Sequence, residues 1–173
     1  MFKAIGLIGL IAASGLLGVL KTLSLKERVR LLDDYLKTLL QLKSRINYFK
    51  EPLLNIFKDI STEKNDLSKS YILLHKIGSE LNLTDRDILS IWKDSVCSVY
   101  DKSPLTSTDI GILQLPGSYI GQTDFENQQA QFYYTEERLK EQINQAKEDY
   151  KIKGRLYNRI GFFIGGIIAI ILI

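Results

Sequence analysis

The chain has 173 residues with 23 Lys or Arg, 20 Asp or Glu, a formal net charge of +3, one histidine and one cysteine. So mild a charge does not call for a nucleic-acid partner. The lone Cys97 excludes an internal disulfide, and one His with one Cys excludes the familiar His/Cys zinc sets.

The first element is apolar. Ala4 to Leu20 carries no charge and lies between Lys3 and Lys21. As helix it spans about 25 Å, against a hydrocarbon core of about 30 Å. This predicts a transmembrane helix over 4–20. A cleaved signal peptide is the competing reading, with Lys3 as a weak n-region and Ile11-Ala12-Ala13 as a loose cleavage site. The run continues through Leu16, Leu17, Val19 and Leu20, longer than a usual h-region, which favours a retained anchor. Lys21, Lys26, Arg28 and Arg30 follow it, opposed only by Glu27.

Ser24-Leu25-Lys26-Glu27 has the capping-box form and predicts a helix starting just past the span. Leu25, Val29, Leu32, Leu36, Leu39, Ile46 and Phe49 give it one apolar stripe. Glu51-Pro52 breaks it, and Pro52 suits the first turn of a short second helix to about Ile60. "STEKNDLSKS" reads as a loop. A third helix is expected from Leu67 to Leu81. Thr84 to Asp87 caps a fourth, which carries Ile88, Leu89, Trp92, Val96 and Tyr100 and ends at Ser103-Pro104. A fifth, Ser107 to Ile120, is interrupted by Pro116-Gly117.

Thr123-Asp124-Phe125-Glu126 opens a sixth helix in capping-box form. Phe125, Phe132, Leu139, Ile143, Ala146, Tyr150, Gly154, Tyr157, Gly161 and Gly165 keep one face along it, with no proline between. It is expected to run, whole or nearly so, into a second transmembrane helix over 156–173. There Arg159 would snorkel to the headgroups and Tyr157 would sit in the interfacial belt. Lys151, Lys153, Arg155 and Arg159 precede that span. Basic residues on one side of both spans place the intervening domain, 21–155, in the cytoplasm. Removing both runs leaves about 139 residues, enough for one domain with a core. No strand signal occurs, so the fold class is all-α: a bundle of about six helices flanked by two membrane helices.

Catalytic chemistry is not encoded in any familiar form. His75 between Leu74 and Ile77 reads as structural, and Cys97 beside Val96 as a small core residue. No G-x-x-x-x-G-K-[ST] occurs, and Gly117 and Gly121 in "PGSYIG" read as helix-end or close-packing glycines. Asp33-Asp34, Asp85/Asp87 and Glu136-Glu137 sit among basic residues and read as solvated helix faces. No catalytic residue, metal ligand or cofactor is assigned. In the terminal runs, Gly161-x-x-x-Gly165-x-x-x-Ala169, Gly9-x-x-x-Ala13 and Ser14-x-x-x-Gly18 place small residues on one face. Such stripes let helices approach closely, although runs of this composition also yield them by chance. Neither run has an ionisable residue at its centre, which disfavours a small two-span channel or transporter subunit, the competing functional reading.

Several elements recur in a fixed order. Glu27-Arg28 follows the anchor, then come Ile46-x-Tyr48-x-x-x-Pro52-Leu53 and Trp92. Gly117-x-x-x-Gly121-x-x-Asp124-x-x-x-Gln128 and Tyr157-x-x-x-Gly161-x-x-x-Gly165 complete the set. In this order and spacing the chain resembles the stage III sporulation protein AB family of endospore-forming bacteria over essentially its whole length. The resemblance implies one part of a set of stage III sporulation A proteins that form a secretion-like channel between mother cell and forespore. It implies similarity to the F-type platform proteins of type II secretion and type IV pilus machines, whose cytoplasmic domains are helical bundles. The implied partners are membrane lipid, the sister channel proteins and a cytoplasmic ATPase, the AA protein, with self-association left open. The implied location is the mother-cell membrane surrounding the forespore.

Overall fold

The computed structural model describes the backbone of residues 2–49, 53–62, 68–121 and 124–172, and side-chain environments at 15–47, 53–59, 68–121, 124–157, 159, 160, 163 and 167. The fold is all-α. Seven helices and no strand occur among the described residues: α1 (Phe2–Phe49), α2 (Leu53–Thr62), α3 (Lys69–Leu83), α4 (Ile88–Val99), α5 (Ser107–Gln114), α6 (Pro116–Tyr119) and α7 (Phe125–Leu172).

Sequence signals placed most boundaries within two or three residues, and the departures have local causes. The expected fifth helix is two helices, because Pro116 has no amide hydrogen to continue α5 and starts α6 at its first turn instead. The capping box at Ser24 starts nothing. Residues 20 to 23 contain neither glycine nor proline, the Thr22 hydroxyl donates to the Gly18 carbonyl oxygen (3.0 Å), and α1 runs straight through. A complete capping box lies elsewhere, at Thr106 and Asp109. The Thr106 hydroxyl oxygen accepts from the Asp109 amide (3.2 Å), and the Asp109 carboxylate accepts from the Thr106 amide (2.8 Å). The fourth helix ends at Val99, before Ser103-Pro104, in a turn where Lys102 takes a positive φ of 55°.

The helices form two compact units, Arg30–Ile143 and Met1–Val29 with Asn144–Ile173. In the first, α2 packs on α3, α3 on α4, and α4 on both α5 and α6. Trp92 is 1% exposed at its centre, edge-on to Phe57 with centroids 6.1 Å apart. Its indole N–H donates to the Leu113 carbonyl oxygen (2.9 Å), and the buried Tyr35 hydroxyl donates to the same oxygen (2.7 Å). Leu113 lies in the last turn of α5, where carbonyls lack helical partners, so two donors from other helices fill both of its lone pairs. Burial raises the Tyr35 pKa well above its ordinary value and keeps the phenol a donor.

In the second unit, segments of α1 and α7 pair. Gly15, Gly18 and Gly154 are buried, and the Thr22 hydroxyl also reaches the Gly154 carbonyl oxygen at 3.1 Å. A Cβ on Gly154 would come 3.2 Å from Thr22 Cγ2, so glycine sets how closely the two helices approach. Arg28 is buried and pairs with Asp149 (3.4 Å), which also binds Lys153 (2.6 Å). Large apolar side chains point outward: Leu16, Leu17, Leu20 and Leu23 on α1, and Ile152, Leu156, Phe163 and Ile167 on α7, each half or more exposed. The expected spans 4–20 and 156–173 fall for the most part on side chains outside the described residues. Among the described residues, no helix is long and apolar enough to cross a membrane.

Candidate functional site

The motif Gly117-x-x-x-Gly121-x-x-Asp124-x-x-x-Gln128 builds the passage from α6 into α7. A Cβ on Gly117 would lie 2.6 Å from Trp92 Cβ, so α6 can press its backbone on α4 only with glycine there. Gly121 has φ +76°, a conformation that favours glycine. The Asp124 carboxylate accepts from the Asn127 amide (2.9 Å) and caps α7; Thr123, the expected cap, lies outside the described residues. Gln128 donates through Nε2 to the Tyr119 carbonyl oxygen (3.3 Å), and the Tyr119 ring meets Phe132 edge-on at 5.0 Å. Each motif residue thus has a structural task. Of the other motif at the first break, Pro52 lies outside the described residues, and Tyr48 is described in its backbone only, on α1.

The paired carboxylates have individual partners. Asp33 binds Lys37 at the surface (2.7 Å). Asp34, expected on a solvated face, is instead half-buried. It accepts from the Ser68 hydroxyl (2.6 Å), the Ser70 hydroxyl (2.7 Å) and the Ser70 amide (3.4 Å), so a carboxylate on α1 satisfies the start of α3. Asp87 caps α4 through the Ser90 amide (3.0 Å), and Ser90, through its side chain first and its amide second, lowers the Asp87 pKa. Glu136 sits between Lys140 (2.7 Å) and Lys43 (3.1 Å), which hold its carboxyl below the ordinary range, Lys140 first. Lys140, bound to Glu136 and Glu137, is pushed up to about 12. Cys97 is exposed rather than packed in the core; its sulfur accepts from Gln114 Nε2 at 3.3 Å. His75 is exposed on α3. Among the described residues no group of His, Cys, Asp and Glu is placed to hold a metal ion.

A groove of about 480 Å³ opens between α2 and α3, lined by Leu54, Lys58, Leu74, His75, Gly78 and Asn82 among others. A Cβ on Gly78 would come 3.2 Å from Phe57 Cβ, so the floor is a close approach of the two helices. The lining mixes apolar and polar groups; its Ser79 hydroxyl donates to the His75 backbone carbonyl oxygen (2.8 Å) rather than to the imidazole.

The basic residues read as flanking the membrane divide sharply. Lys21, Lys26, Arg30, Lys151, Lys153, Arg155 and Arg159 are exposed. Arg28 is not: it is 7% exposed and held by Asp149, so its guanidinium serves helix pairing. Asp149 was the missing clue, two and four residues from Lys151 and Lys153 and not counted among the flanks. Lys147, four residues before Lys151, was also missed, although the spacing shows it. Gly161, Gly165 and Ala169, the expected packing residues, lie on α7, and their side-chain environments are outside the described residues.

Known proteins supply the rest. The family model of stage III sporulation protein AB matches residues 3–173. A solved structure described as "Stage III sporulation protein AB (SpoIIIAB)" superposes with a TM-score of 0.63 at 21% identity, covering 72% of this chain and 96% of that one. That likeness concerns the fold. No match was found among curated proteins. With the family model spanning all but the first two residues, the chain belongs to the stage III sporulation protein AB family.

Proposed function

We propose that this protein is a non-enzymatic, membrane-anchored platform of the secretion-like channel between mother cell and forespore. Its Arg30–Ile143 unit would lie in the cytoplasm and dock an ATPase. Membership of a stage III sporulation family supports the process. One observation carries the anchoring: the second unit sorts its residues by size. Gly15, Gly18 and Gly154 are buried where α1 and α7 meet, while eight Leu, Ile and Phe side chains turn outward. Burying one such side chain is worth about 1.5–3 kcal/mol in water. Leaving eight outside forgoes as much as the ~5–15 kcal/mol that holds a whole domain together. In lipid that term vanishes between helices, and close packing through small residues is the remaining driving force.

Two measurements test the reading. Residues 21–155, expressed at normal level without either flanking run, should fail to support sporulation; full sporulation would rule out a membrane platform. The full chain tagged in sporulating cells should retain a cytoplasmic ATPase on the beads, and its absence would remove the docking role.

A further inference from the structure

Lys147, Lys151, Arg155 and Arg159 stand four residues apart on α7, and all four are exposed. Each step of four residues advances about 6 Å and turns about 40° past one full turn, so they form a slowly winding row about 18 Å long. Among the described residues none of the four has an acidic partner. Arg155 Nε donates only to the Lys151 carbonyl oxygen (3.0 Å). The contrast lies one turn away, where Asp149 engages both Arg28 and Lys153. Like charges four apart destabilise a helix. Four in succession leave this stripe of α7 positively charged.

A second row runs beside the first. Ile152, Leu156 and Ile160 each follow a cation directly, are 59%, 50% and 40% exposed, and continue to the exposed Phe163 and Ile167. A free phosphate or an acidic protein segment would use the cations and gain nothing from these apolar neighbours. An amphiphile with an anionic head and a hydrocarbon tail uses both rows. We propose that this face of α7 binds an anionic phospholipid, its phosphate against Lys151, Arg155 and Arg159 and an acyl chain along Leu156, Ile160 and Phe163. The proposal rests on the membrane reading above and adds a lipid class to it. The headgroup layer of one leaflet is roughly 5–8 Å deep. Arg155 and Arg159 therefore reach it together, Lys151 reaches it by extending along the helix, and Lys147 acts only at long range within the screening length of about 8 Å.

The full chain is reconstituted into phosphatidylcholine liposomes with a trace of spin-labelled phosphatidylglycerol or spin-labelled phosphatidylcholine, and the motionally restricted lipid is measured. The wild type should prefer the anionic label by at least about fivefold, the effect of a single engaged cation. K151Q/R155Q/R159Q should bring the preference close to one while restricting the phosphatidylcholine label as before, and K153Q should leave it unchanged. If the triple variant does not insert, R155Q alone should show a smaller loss of preference. Equal restriction of both labels by the wild type, or a preference that survives in the triple variant, overturns the lipid site while leaving the anchor intact; the row would then point to an acidic protein partner. No restricted lipid with either label overturns the membrane reading and the site with it.

Discussion

At Gly117 the missing side chain is the point. Trp92 Cβ occupies the space a Cβ there would need, at 2.6 Å. Gly117→Ala should therefore cost about 1–3 kcal/mol by overpacking, read as a lower unfolding midpoint of the full chain in detergent. The tightest clash is with Cβ, and shrinking the partner removes only the second one, with Cγ at 2.9 Å: Trp92→Ala with Gly117→Ala should show at most partial rescue. Trp92→Ala alone should cost about 3–5 kcal/mol and leave the Leu113 carbonyl with Tyr35 only. Glu136 gives a pH dependence. Its pKa lies below the ordinary 4.5, so its contribution is complete above that value and is lost as pH falls through the lowered one. Glu136→Gln should flatten the acid side of a stability-against-pH curve below the ordinary carboxyl range. An unchanged acid limb would mean that Lys43 and Lys140 do not stabilise the folded state through it.

Among the elements, local caps are only partly legible: the box at Thr106 and Asp109 went unread and the one at Ser24 caps nothing, while a cap supplied from another helix leaves no sequence signal at all. Asp87, within the expected cap Thr84 to Asp87, bonds an amide three residues on, and so does Asp124, one residue past the expected Thr123. Asp34 could not be read. Its partners Ser68 and Ser70 are more than thirty residues away, and on its own helix it looks like half of a solvated pair. Asp34→Ala should speed hydrogen exchange of the Ser70 amide and cost about 1–3 kcal/mol by leaving buried donors unpaired. Exchange unchanged at Ser70 would show that α3 starts without help. Thr106→Ala should cost about 1 kcal/mol. The apolar stripe of the last helix was correct where another helix covers it, at Phe132, Leu139, Ile143 and Ala146. At Phe125, Tyr150 and Tyr157 the same stripe is 56%, 38% and 36% exposed. Periodicity shows which residues share a face and says nothing of whether a neighbour lies over it. Cys97 misled for the same reason, since beside the buried Val96 it points the other way.

For the whole molecule, the exposed Cys97 is a native reporter of sidedness. With the Arg30–Ile143 unit in the cytoplasm, a membrane-impermeant maleimide should spare Cys97 in intact cells and label it after lysis. Labelling before lysis would put the unit on the opposite side. Time enters through Thr22. Its hydroxyl bonds Gly18, four residues back, and Gly154, 132 residues ahead. During synthesis the first partner is present as soon as α1 forms, whereas the second emerges 132 residues later. A helix that must wait alone would otherwise hold an unsatisfied hydroxyl throughout. Here the proton begins on Gly18 and is shared when α7 arrives, so the side chain that closes the pair is satisfied at every stage of its making.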